Sequence, residues 1–126
     1  MKLIIGGAYQ GKLDYALSRF ELHKSDVYSC KETTMTIHTK KPIIYGFDQW
    51  ILALVRAEFN VQTEVDKLLP KLADKIIIST DISAGVVPLD SIIRAWREEV
   101  GRATVKLAQN ADEVVRLFVG IPTRLK

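Results

Sequence analysis

The sequence predicts an α/β fold in which a mostly parallel sheet is covered by helices on both faces. Three observations carry that reading. Short apolar runs rich in β-branched residues, Leu3-Ile4-Ile5, Ile43-Ile44-Tyr45 and Ile76-Ile77-Ile78, are separated by segments with helical periodicity. The last run has no polar alternation, as expected of a strand buried on both sides in a parallel sheet. The first run leads straight into Gly6-Gly7 and then a helical pattern, so strand, glycine loop and helix follow without a gap.

Taken in order, Lys2-Leu3-Ile4-Ile5 reads as the first strand. Beyond Lys12, the residues Leu13, Ala16, Leu17 and Phe20 recur on one helical face, with Asp14, Arg19 and Glu21 turned outward. Residues 27–30 form a second short strand, and the threonine-rich stretch 31–41 reads as loop or edge. After the strand at 43–45, Gly46 ends the run. Asp48 is placed as the N-cap of a helix whose inner side carries Trp50, Ile51, Leu54 and Val55. Residues 65–72 read as a short helix limited by Pro70. A loop over 81–88 follows the third isoleucine run. A long helix over 89–109 then carries Ile92, Ile93, Trp96, Val100, Ala103 and Leu107 on its apolar stripe. The last strand is expected at 114–119, with a short tail after it.

The chain has 126 residues, 48% hydrophobic and 26% charged, which fits one domain over residues 1–126 and argues against disorder or coiled coil. A net charge of +3, with basic and acidic residues interspersed, marks no nucleic-acid groove. Cys30 is the only cysteine, so no intramolecular disulfide forms, and its apolar neighbours favour a small buried hydrophobe over a reactive thiol. No apolar run reaches the ~20 residues of a membrane span, and no signal-peptide pattern opens the chain. A cytoplasmic protein with neither a membrane nor a nucleic-acid partner is the expectation.

The segment Gly6-Gly7-Ala8-Tyr9-Gln10-Gly11-Lys12-Leu13 matches the phosphate-loop pattern G-x-x-x-x-G-K-[ST] at its first three fixed positions. Such a loop wraps a phosphate with backbone N–H groups at a helix N-terminus, and Lys12 would reach the β- and γ-phosphates. Leu13 occupies the position whose hydroxyl normally meets Mg²⁺. The alternative is a strand-to-helix turn with glycines for tight packing and a solvated Lys12.

Beyond the loop, the sequence resembles the bifunctional adenosylcobinamide kinase / adenosylcobinamide-phosphate guanylyltransferase family of cobalamin biosynthesis. LIIGGAYQGKLDYA is similar to the family's strand and GGxxSGKS loop, and IIYGFDQWILALV to its acidic strand end and Trp-containing helix. IIISTDISAGVVP resembles the family's TNEvGxGiVP segment. RAWREEVGRATVKLAQNADEVVRLFVGIPTRLK resembles its R-x-[FW]-R…GR…ADEV…GIP…K ending, with Gly85, Pro88, Arg94, Arg97, Gly101, Arg102, Ala111, Asp112, Glu113 and Gly120 in register. The resemblance implies a three-layer, P-loop NTPase-like (RecA-like) fold, ATP or GTP as cofactor, a corrinoid as partner, and a homo-oligomer. It also implies that Gly6 to Leu13 bind the nucleotide and that Lys12 and Asp81 carry the catalysis.

The departures fall on the chemistry. Leu13 replaces the loop hydroxyl, Tyr45 stands in place of the strand-end carboxylate, and Thr80-Asp81 replaces Asn-Glu. Ala53 and Thr104 replace family asparagines. The stretch between Cys30 and Pro42 is too short for the family's nucleotide-accepting histidine segment, and the neighbours of His38 do not match it. His23 likewise has no matching role. No metal ligand set is expected, and Mg²⁺ binding is left open. Asp48 and Asp81 are available as replacement carboxylates, although N-cap and loop-turn roles suit them better. Arg94, Arg97 and Arg102 are read as a solvated helix face, with Glu98–Arg102 as an i,i+4 pair. A nucleotide- or phosphate-binding pseudoenzyme, with kinase chemistry weakened or lost and no guanylyltransferase activity, fits these residues ahead of a minimal active kinase. A non-catalytic scaffold comes third.

Overall fold

A computed structural model describes residues 1–82 and 89–126; Gly85, Pro88 and most of the expected 81–88 loop lie outside them. Six strands, β1 (Lys2–Gly6), β2 (Val27–Ser29), β3 (Ile43–Tyr45), β4 (Ile76–Thr80), β5 (Glu113–Phe118) and β6 (Ile121–Arg124), form one sheet in the order β2-β3-β4-β1-β5-β6. The first five run parallel, and β6 returns antiparallel to β5. The helices are α1 (Lys12–Arg19), α2 (Phe47–Arg56), α3 (Val61–Leu68) and α4 (Ser91–Asn110). This is the expected α/β architecture.

The reason lies in the burial of β1 and β4. Leu3 and Ile4 point to opposite faces, and both are essentially inaccessible to solvent, as are Ile77 and Ile78. One apolar layer, with Ile4, Ile43, Ile78 and Leu117, packs against Ala16 of α1. The opposite layer, with Leu3, Ile44 and Ile77, packs against Trp50, Ile51 and Leu54 of α2, Val65 of α3, and Val100, Ala103 and Leu107 of α4. Helices therefore cover both faces. The chain leaves the neighbouring strands β1 and β4 towards opposite faces, which opens a crevice at their carboxyl ends.

Several boundaries differ from the sequence expectation, each for a local reason. Asp48 is not the N-cap of α2: Gly46 holds that position in a left-handed conformation (φ 76°) that favours glycine, and Asp48 lies buried inside the first turn. The helix expected over 65–72 starts earlier, at Val61, where the Asn60 side chain accepts from Thr63 N–H. It gives way to a 3-10 turn (Leu69–Leu72) at Pro70. The long helix begins at Ser91, capped by Asp90, whose carboxylate accepts from the N–H groups of Ile92 and Ile93. The expected C-terminal tail is strand β6, joined to β5 by the two-residue turn Val119-Gly120, both with positive φ as a type I′ hairpin needs.

Cys30 is buried, and loss of solvation pushes its thiol up to about 12, in keeping with an inert hydrophobe. Among the described residues, no helix is long and apolar enough to cross a membrane. One ion pair ties α1 to the sheet: the Arg19 guanidinium meets Glu113 on both carboxylate oxygens, at 2.7 and 2.9 Å. Arg19 holds the Glu113 carboxyl below the usual carboxylate range. The pair's contribution is therefore complete above the unfolded pKa of ~4.3 and is lost as pH falls through the folded value. Thermal melts of wild type and Glu113→Gln should differ by about 1–2 kcal/mol near neutrality and converge on acidification.

Candidate functional site

The site is built where β1 ends. A Cβ on Gly6 would stand 2.6 Å from the carbonyl oxygen of Leu117 in β5, so only glycine lets β1 pass this close to its neighbour while turning into the loop. Gly11, left-handed at φ 85°, then starts α1 at Lys12. Between them Tyr9 also takes a positive φ of 58° and points fully into solvent at the loop tip. The loop is fastened from outside: Gln10 Oε1 accepts from Val119 N–H, and its main-chain carbonyl accepts from Gly120 N–H at 3.2 Å. The strained β5–β6 turn and the phosphate loop thus hold each other in shape.

Ala8, Tyr9, Gln10, Gly11, Lys12 and Leu13 line a cleft of about 330 Å³, closed on the far side by Tyr45 and Thr80. Lys12 is 5% exposed, which removes the alternative of a solvated lysine. Its ammonium donates to Gly7 O at 2.6 Å. Burial lowers its pKa, and the nearby Asp48 carboxylate opposes that shift.

Sequence reasoning undervalued Asp48. The left-handed Gly46 starts α2 two residues earlier than a capping aspartate would, and so turns this carboxylate inward beside Lys12. Its Oδ1 accepts from Thr80 N–H at 3.0 Å, and its Oδ2 accepts from the Gln49 amide at 3.1 Å. Its main-chain oxygen accepts from the Trp96 indole at 2.8 Å. One residue therefore joins the ends of β3 and β4, helix α4 and the buried lysine. The signal was the triplet Gly46-Phe47-Asp48 directly after a strand.

Asp81 stands elsewhere. Its N–H donates to Gly6 O at 2.8 Å, extending the β1–β4 ladder, and it borders a second, smaller pocket between the sheet and α4. Ala8 to Leu13 are thus brought together with Tyr45 and Thr80, Asp48 acts on Lys12 electrostatically and bonds Thr80 N–H, and Asp81 borders the other pocket that Thr80 lines. His38 is exposed and sits edge-on to Tyr28, with ring centroids 5.7 Å apart; His23 precedes a short 3-10 turn. Trp50 and Trp96 are packed, their indole N–H groups donating to Met35 O and Asp48 O. Arg102 pairs with Glu98 at 2.5 Å on the helix surface.

The residues do not fit the Mg²⁺ anchors that a complete phosphate loop supplies. Leu13 offers no oxygen, Tyr45 offers a phenol at the strand end, and both Asp48 oxygens already accept protein hydrogen bonds. The loop sets a helix N-terminus and a buried ammonium side by side, two features that favour an anion.

Fold and site together define a phosphate-loop α/β protein with a parallel core sheet. A family model for cobinamide kinase / cobinamide phosphate guanyltransferase matches residues 32–125, about three quarters of the chain, and the chain belongs to that family. Membership relates it to cobalamin biosynthesis and to proteins that bind nucleotides. The matched segment begins after the phosphate loop, so the loop is identified by its own sequence and geometry. No curated protein matches the chain.

The coupling between Lys12 and Asp48 is measurable. Asp48→Ala should cost about 2–4 kcal/mol in chemical denaturation, since it strands the Thr80 N–H and leaves the buried ammonium without its counter-charge. Asp48→Asn keeps an acceptor for Thr80 and should cost less, while lowering the Lys12 pKa further in a titration of its ε-carbon resonance.

Proposed function

We propose that this chain holds the phosphates of ATP or GTP on Gly6 to Leu13, as a divergent cobinamide-kinase relative whose phosphoryl transfer is weakened and whose guanylyl transfer is lost. The observation that carries the reading is Lys12, whose buried ammonium lies against Gly7 O within the cleft-forming loop. An incoming phosphate gives that ammonium a stronger, charged acceptor than the carbonyl it now meets. The loop N–H groups and the α1 N-terminus add partial positive charge on the same side.

In this reading Lys12 neutralises charge on the transferred group, and Asp81, beyond Thr80, orients the acceptor. The weakness lies in Leu13 and Tyr45, which replace the oxygen ligands that help a metal bridge the phosphates. Guanylyl transfer needs a nucleophilic nitrogen at the α-phosphate, and neither His23 nor His38 lines the cleft. A cytoplasmic setting and a homo-oligomer belong to the same proposal and rest on the family resemblance and the single, buried thiol.

The second reading, a minimal active kinase, draws on Asp48. This carboxylate restores negative charge near the end of β3, three residues beyond Tyr45.

Thermal melts with millimolar ATP or GTP, with and without Mg²⁺, separate the readings. Nucleotide at about 100 times its Kd should stabilise the protein by about 2.7 kcal/mol, and Lys12→Ala should abolish the shift. Stabilisation that ignores Mg²⁺ supports the weakened binder, and strong Mg²⁺ dependence supports the active kinase. No shift at all refutes both. Incubation with radiolabelled GTP should leave no covalent label on the chain.

A further inference from the structure

Leu13 and Tyr45 belong to separate elements, the first turn of α1 and the end of β3. The fold brings them into one layer. Both line the phosphate cleft, and both pack, partly buried, against the apolar cluster that holds Ile4, Ile43 and Ile78. The side of the cleft on which metal ligands belong is therefore an outgrowth of the core.

Tyr45 differs from Leu13 in carrying a polar tip. The Tyr15 hydroxyl accepts from Arg19, and the Tyr28 hydroxyl donates to Thr36 O. The hydroxyls of Tyr45 and Thr80 have no hydrogen-bond partner among the described residues, and both residues line the cleft across from the loop. A carboxylate at the end of β3 would repel a phosphate unless a cation stood between them, whereas a phenol donates to it directly. Of the acidic groups nearby, Asp48 has both oxygens engaged by protein donors. Asp14 is the one carboxylate among the lining residues, and it is exposed. Mg²⁺ gives up water reluctantly and demands octahedral oxygen, so an apolar wall with one exposed carboxylate is a poor seat for it.

We infer that this cleft selects the metal-free form of a polyphosphate chain, with the Tyr45 hydroxyl as the donor that takes the place of the cation. The inference rests on the reading of the loop as a phosphate site. Mg²⁺ then opposes binding, where the two readings above have it indifferent or required. A complexed Mg²⁺ engages phosphate oxygens that the protein donors would otherwise meet, and it brings bound water against the Leu13–Tyr45 wall. Lys12, the loop N–H groups and the hydroxyls of Tyr45 and Thr80 together form a lining rich in donors, which suits the higher negative charge of the uncomplexed chain.

The test measures binding of ATP and of inorganic tripolyphosphate to the full chain, each in EDTA and in excess Mg²⁺ at one ionic strength. Mg²⁺ should weaken both ligands about fivefold. Tyr45→Phe keeps the packed ring and removes the donor. It should weaken metal-free binding about fivefold and leave binding in Mg²⁺ unchanged, so the gap closes. Equal or tighter binding in Mg²⁺ by wild type overturns the inference, as does a gap that survives Tyr45→Phe in a folded protein. A gap confined to ATP also overturns it, because the selection then lies outside the phosphate chain. Failure of both ligands to bind in either condition refutes the phosphate-loop reading itself.

Discussion

A lysine ammonium buried at the end of a parallel sheet must be surrounded by oxygen, and the arrangement of this molecule follows from that requirement. Lys12 is at the first position of α1, so the turn from β1 into the helix decides where its charge lies. The loop carbonyl of Gly7 accepts one of its hydrogen bonds, and Asp48 supplies an opposing charge. Asp48 can do so only because Gly46 starts α2 early and turns the first helical turn inward. The same carboxylate receives Thr80 N–H, which aligns the end of β4 with the end of β1. The charge on one side chain is therefore tied to the positions of three strand ends and two helices.

That arrangement suits an anion and carries less provision for a metal. Two features favour phosphate, the helix N-terminus and the ammonium, and neither depends on Leu13 or Tyr45. The oxygen ligands that those two positions would hold in a complete phosphate loop are replaced by an aliphatic chain and a phenol. The Gln10 tether to the β5–β6 turn adds rigidity to the cradle from the C-terminal end of the chain.

Much of the fold was legible because its signals are local. The isoleucine runs of β3 and β4 have one reading in a parallel sheet, and the glycine loop between β1 and α1 has a fixed strand-to-helix setting. Residues Ala8 to Leu13 line one cleft together because they are neighbours in sequence. Strand β6 was missed because an edge strand with Pro122 and four exposed residues has neither the apolar alternation nor the burial that marks a strand. The role of Asp48 was missed for a different reason. An aspartate early in a helix looks like a cap, and only the left-handed Gly46 shifts it by two positions into the interior.

By itself, then, the sequence determined the five parallel strands and the order of the helices between them, which loop carries the phosphate signature, and which residues of that signature it lacks. Those properties depend on residue type and near-neighbour spacing. The tertiary structure alone decided that Lys12 is buried and not solvated, that Asp48 faces it across the end of the sheet, and that Asp81 belongs to the smaller pocket behind Thr80. Each of these depends on how close separate strands and helices come to one another. That separation is set by packing of the two apolar layers and by the contact that Gly6 makes possible beneath Leu117.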